Sequence, residues 1–204
     1  MFFLRNKNYL DELTFLLIKE FVPAGYKITR KVELDPLPES AKYEALNFHL
    51  NDRRIVYRKG KITSDRPGAF LAVWQRPPLE DLTSNKPKPI PKPIPLTSDD
   101  LDYLFIHVES HSNISEGLEH RSKYGMFIFP VSLLIEKGIL ASVKNKGKTG
   151  FRVFPPWSEN RGDVGTKVFS ESGKKTQRWQ IPFFLDIDEN GLINPCELKK
   201  LLQI

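Results

Sequence analysis

Residues 46–59 read Leu46-Asn47-Phe48-His49-Leu50-Asn51-Asp52-Arg53-Arg54-Ile55-Val56-Tyr57-Arg58-Lys59, and this stretch decides the fold. Leu46, Phe48 and Leu50 alternate with polar residues, the period of a strand with one buried face. Asn51 and Asp52 tolerate the backbone of a tight turn, and the chain resumes as a strand over 55–62. Strands joined by so short a turn run antiparallel, because a parallel pair needs a crossover.

Working outward, residues 26–34 also alternate, and residues 69–75 form another strand after the turn Asp65-Arg66-Pro67-Gly68. Together these predict an antiparallel meander. Upstream, Leu10, Leu13, Leu17 and Phe21 recur at helical spacing and predict a helix over 8–22, ended by Pro23. Downstream, residues 77–98 form a Pro-rich excursion. The run from Lys86 to Pro95 places Pro at every second position, which removes backbone donors and favours extended polyproline II on the surface. Strands are expected at 103–108, 126–129, 151–154 and 181–185, and 174–180 reads as a turn or short helix. Helices are expected from Pro130 to Gly138 and after Asn194-Pro195-Cys196-Glu197, whose first residues carry a cap and a first-turn Pro.

No internal repeat or second core is evident. The expected fold is α+β: a single domain over residues 1–204 with a curved, mainly antiparallel sheet flanked by helices.

The chain has one cysteine, Cys196, which excludes an internal disulfide framework and a Cys-based zinc cluster. The apolar start is short and runs into Asn6, and no stretch approaches the roughly 18 apolar residues of a membrane span. A cytoplasmic location without membrane association is the expectation. The net charge of +6 is unevenly distributed: residues 53–76 carry seven basic and one acidic side chain, and residues 142–180 carry nine basic and three acidic. Charge segregated in this way costs self-repulsion and attracts an anion.

Several blocks resemble the MepB-like family over about residues 38–185. They include Glu39-Ser40 with Tyr43, and Tyr57-Arg58-Lys59-Gly60-Lys61-Ile62-Thr63. Gly68-Ala69-Phe70-Leu71-Ala72-Val73-Trp74-Gln75-Arg76 and Asp102-Tyr103-Leu104-Phe105-Ile106 follow, then Gly125-Met126-Phe127-Ile128-Phe129-Pro130 with Lys137-Gly138-Ile139. The last are Gly147-Lys148, Arg152-Val153-Phe154-Pro155-Pro156-Trp157, Lys175-Thr176-Gln177 and Trp179-Gln180. The resemblance implies an α+β fold whose curved sheet is similar to nucleic-acid-interacting domains of nucleases, and it implies no established reaction. The sequence departs from the family at Thr63-Ser64-Asp65 and Trp74-Gln75-Arg76, where Thr-Pro-Lys and Trp-Lys-Arg are usual, and in its longer Pro-rich excursion.

The expected function is non-catalytic nucleic-acid binding. Arg58, Lys59, Lys61 and Arg76 are expected on neighbouring strands of one meander, joined by Lys148, Arg152, Lys174, Lys175 and Arg178 to neutralise phosphates. Trp74, Trp157 and Trp179 are candidates to stack on bases, unless their rings belong to the core, and Gln177 and Gln180 are candidates to bond base edges. A metal-dependent nuclease on the same face is the alternative. The strand over 69–76 has no carboxylate, and the spacing of Glu44, Asp102, His107 and Glu109 does not make them converge. A protein-interaction adaptor using the Pro-rich segment is a further alternative.

One motif is sharper. Asp186, Asp188, Asn190, Gly191, Leu192, Asn194 and Glu197 satisfy the spacing of an EF-hand calcium loop. The segment before it reads as a strand instead of the entering helix, so a turn followed by a capped helix explains the same residues.

Overall fold

The computed structural model describes residues 3–77, 91–110 and 123–203. Most of the Pro-rich tract (78–90) and the polar stretch 111–122 lie outside the described residues.

Helix α1 (Phe3–Leu16) continues into one π turn, Leu17–Phe21. The reason lies in its apolar spacing. Tyr9, Leu13, Leu17 and Phe21 are all buried, four residues apart, whereas an α-helix repeats every 3.6. A strict four-residue stripe drifts off the core-facing side, and the wider π turn resets it.

The main sheet has six strands: β1 (Ile28–Leu34), β2 (Leu46–Leu50), β3 (Arg53–Lys59), β4 (Tyr103–Glu109), β5 (Tyr124–Pro130) and β6 (Phe184–Ile187), adjacent in that order. The predicted turn at Asn51 and Asp52 has positive φ at both residues, 45° and 62°, as a two-residue hairpin requires. Four of the five strand pairs are antiparallel and one, β3 with β4, is parallel.

The expected meander does not continue beyond β3. Gly60 donates to His107 O at 2.8 Å, and there the chain leaves the main sheet. A side chain at Gly60 would crowd Ala69 Cβ, 2.9 Å from an ideal Cβ position. The next two strands, β7 (Lys61–Thr63) and β8 (Arg66–Ala72), form a second sheet with β9 (Gly150–Val153). Lys61 is therefore not on a strand neighbouring Arg58 and Lys59 in the main sheet. A two-residue pair, β10 (Trp74–Gln75) with β11 (Ile94–Pro95), follows the second sheet and anchors the end of the Pro-rich excursion.

Both faces of the main sheet are covered. Ile55, Tyr57, Phe105, Met126, Ile128 and Leu185 pack under α1 and α4 (Pro195–Leu201). Val56, Leu104, Ile106, Phe127 and Phe129 pack against the second sheet and α2 (Val131–Glu136). Phe127, Ile128 and Phe129 are fully buried in alternation between the two clusters, which is why this strand reads as an unbroken apolar run. The two clusters are back to back on one sheet, so the architecture is α+β with helices, sheet and second sheet in layers.

Helix α3 (Glu171–Gln180) is longer than predicted, because Ser170 caps it by accepting from Gly173 N–H at 3.1 Å. A 3-10 turn, Ile181–Phe183, replaces the first part of the expected strand 181–185. Pro182 has no N–H for a ladder, and pairing begins at Phe184. No helix among the described residues is long and apolar enough to cross a membrane.

Candidate nucleic-acid interface

The second basic segment assembles around α3 and β9. Gln180 is fully buried: its Oε1 accepts from Phe154 N–H at 2.8 Å and its Nε2 donates to Arg152 O at 3.0 Å. Gln177 donates to Pro155 O at 2.9 Å. These bonds hold α3 against the end of β9. Beside them lies a groove of about 410 Å³ lined by Lys137, Lys148, Arg152, Thr176 and Trp179, with Phe151 and Phe154 at its base. No carboxylate is among its lining residues. Trp179 is half-buried. Its ring lies 5.6 Å from that of Phe129, and the Lys137 ammonium lies 5.7 Å from its centroid.

Gln180 was expected to bond bases, and the structure corrects this: both ends of its carboxamide are engaged inside the protein. Gln177 likewise uses its amide on the backbone. Arg152 reaches the groove but is also tied to Thr63 Oγ1 at 2.8 Å, and burial presses its pKa down. Lys148 and Lys175 are exposed and make no ion pair among the described residues, and Arg178 is also exposed. Lys174 pairs with Glu171 at 2.9 Å. Lys137 was missed in the sequence, although its place beside the helix-ending Gly138 is the kind of position where a basic side chain is common.

The first basic segment does not join this groove. Arg58 is buried and bonded to Asp35 at 2.7 Å, so it is unavailable to phosphate, a second correction. Burial drives its pKa down and Asp35 opposes that shift. Lys61 is exposed on β7, its ammonium 5.7 Å from the Tyr43 ring centroid. Arg58, Trp74 and Arg76 share a separate cavity of about 570 Å³ between β1–β3 and the β10–β11 pair. There Arg76 pairs with Glu39 at 2.5 Å and its guanidinium sits 5.1 Å from the Trp74 ring centroid. Trp157 packs edge-on to Phe184 at 5.5 Å, away from both hollows' linings.

Lys59 stands elsewhere again. Its Nζ lies 3.3 Å from Glu44 and 3.0 Å from Glu109, at the carboxyl ends of the parallel pair β3–β4, where His107 also sits. The sequence spacing did not predict this convergence. Burial works against the Lys59 charge, yet the hydrogen bonds it donates to Glu109 and Glu44, with their negative charge, hold its pKa above the ordinary value. Glu44 is nonetheless raised: burial dominates, and Glu109 and Glu12 repel it while Lys59 opposes. The two partners differ because Lys59 gains two carboxylates whereas Glu44 gains one cation and two like charges. His107 is pushed down to about 4 by burial and by Lys59.

Comparison with known proteins agrees with this architecture. The MepB-like family model matches residues 38–186. The chain belongs to the MepB-like family. The solved structure described as "Crystal Structure of MepB" is 28% identical, with a TM-score of 0.55 over 78% of this chain and 88% of that one. No curated protein matches the chain.

Within the MepB-like region, both departures from the usual residues have local partners. Gln75 donates to Asp100 Oδ2 at 2.7 Å, and Asp65 lies beside Arg66 and Arg152. The calcium-like loop begins at the end of that region. Asp186 lies on β6, so a strand enters the loop. Asp188 Oδ1 accepts from the N–H groups of Asn190 and Leu192, both at 2.8 Å, and the Leu192 carbonyl accepts from Asp188 N–H. Asn194 caps α4 through the N–H groups of Cys196 and Glu197. These oxygens thus close a turn and a helix start. Among the described residues no group of three or more His, Cys, Asp or Glu side chains is disposed to hold a metal.

Proposed function

We propose that this MepB-like chain binds nucleic acid without cleaving it, through the groove between β9 and α3. The observation that carries the reading is the groove's lining: Lys148 and Arg152 beside a half-buried Trp179, with no carboxylate in the lining, and with Lys137 at its edge paired to Glu136 at 2.7 Å. Phosphate neutralisation by such side chains supplies sequence-independent affinity, and an aromatic edge suits an unpaired base. Lys175 and Arg178 on α3 extend the cationic surface. A cytoplasmic location accompanies this reading, supported by the exposed, unpaired thiol of Cys196.

Fluorescence anisotropy on short single- and double-stranded DNA and RNA tests the proposal at low and physiological salt. Binding should weaken steeply with salt, and Lys148→Glu should weaken it further with a shallower salt slope. Absence of binding at low salt to all four probes would sink the idea.

Phosphodiester hydrolysis is the second reading, favoured by the convergence of Glu44, Lys59, Glu109 and His107. Cleavage of plasmid or oligonucleotide, assayed both with and without Mg²⁺ or Mn²⁺ because these side chains form no three-ligand metal group, and abolished by Glu109→Gln, would replace the non-catalytic reading with this one.

A further inference from the structure

The cavity beside Trp74 is separate from the cationic groove and differs from it in chemistry. Its floor is the second face of β1–β3, where cross-strand rows set Arg30, His49 and Arg54 side by side, then Glu33, Asn47 and Val56. Its roof is Trp74, Gln75 and Arg76 of the β10 segment.

The charges around it are already matched. Arg30 bonds Glu33 at 2.8 Å, Arg58 bonds Asp35 at 2.7 Å, Arg54 bonds Asp102 at 3.1 Å, and Arg76 bonds Glu39. The Asp100 carboxylate accepts from Gln75, from Thr97 N–H and from Thr97 Oγ1. These pairings leave little uncompensated charge to draw an anion or a cation into the cavity. Two groups remain unengaged among the described residues: the Asn47 carboxamide and the His49 imidazole, both partly exposed on the cavity floor. The half-buried indole of Trp74 lines the same cavity, with the Arg76 guanidinium over one face of its ring.

We infer that this cavity takes a nucleobase: an uncharged planar ring with donors and acceptors along its edge. A carboxamide offers a donor and an acceptor side by side, the pattern that pairs with a base edge, and an imidazole adds one more polar contact. The indole and the arginine planes supply stacking surfaces. A volume of about 570 Å³ lies within the range of small-molecule sites and accommodates a base with its sugar. The base comes either from a free nucleoside or from an unpaired strand, and the experiment separates these sources.

Titration of the four ribonucleosides, followed by Trp fluorescence and calorimetry, forms the first arm. The second measures oligonucleotide binding with and without single abasic positions. Each is run on wild type, Asn47→Ala, His49→Gln and Lys148→Glu, with melting curves to confirm folding. Saturable nucleoside binding that weakens about tenfold or more in Asn47→Ala, but not in Lys148→Glu, identifies a nucleoside site. Oligonucleotide binding that weakens at an abasic position in wild type, but not in Asn47→Ala or His49→Gln, identifies a base presented on a strand. Wild-type protein that binds no nucleoside and ignores abasic substitution overturns the inference. So does binding unchanged in folded Asn47→Ala and His49→Gln. Either failure leaves the groove reading intact, since that reading is judged by salt-dependent binding of unmodified oligonucleotides and its weakening in Lys148→Glu.

Discussion

The Gln180 carboxamide and the Phe154 backbone N–H meet at 2.8 Å in a fully buried position, and this bond is what sets α3 against β9. The other end of the same carboxamide donates to Arg152 O at 3.0 Å, so one side chain bridges two backbone groups of the groove wall.

Removing it leaves a buried donor and a buried acceptor without partners. Gln180→Ala should lower stability by about 2–4 kcal/mol, combining two unsatisfied groups of roughly 1–2 kcal/mol each. Chemical denaturation measures this directly. Because Trp179 precedes Gln180 on α3, its fluorescence should also shift in the native baseline. An unchanged midpoint and emission would show that the bridge is dispensable.

The pair Arg58–Asp35 makes a second prediction. Both side chains are almost wholly buried, at 4% and 8% exposure, so neither can find water if the other is removed. Arg58→Met alone should cost about 3–5 kcal/mol, as expected when one partner of a buried pair is deleted. The double change Arg58→Met with Asp35→Leu should recover most of that loss. A phosphate-binding role for Arg58 predicts the reverse pattern: little effect on stability and a loss of affinity. Melting curves of the two variants decide it.

His107 makes the acid limb of stability testable. Its folded pKa of about 4 lies below the ordinary 6.5, chiefly through burial and then through Lys59, while Glu109 opposes. The native state therefore binds fewer protons than the unfolded chain between those values. Stability from this group is complete above about pH 6.5 and is lost as pH falls toward 4, on the order of 2–3 kcal/mol. Melting temperature measured from pH 7.5 to 4 should fall through that window. His107→Phe, which preserves an aromatic partner for Tyr124 across their 6.5 Å stack, should flatten the decline. Parallel curves for the two proteins would assign the acid limb to other groups.

Local order alone determined much of this protein. The alternation of Leu46, Phe48 and Leu50, the turn at Asn51-Asp52, the apolar run 127–129 and the Asn194 cap were legible, since each depends on near neighbours and on one period of burial. The family blocks were legible for the same reason, being short and ordered along the chain. What only the tertiary structure decided are the partners distant in sequence. The parallel pairing of β3 with β4, the departure of the chain at Gly60 and the meeting of Glu44 with Glu109 across Lys59 join segments about fifty residues apart or more, or turn on such a contact. Whether a polar side chain serves the surface or the core depends on which face another layer covers. Arg58 and Gln180 ended inside and Asn47 and His49 ended in a cavity, although all four look alike in the sequence as polar residues within strands or a helix. Periodicity says which residues share a face, and only packing says what lies over that face.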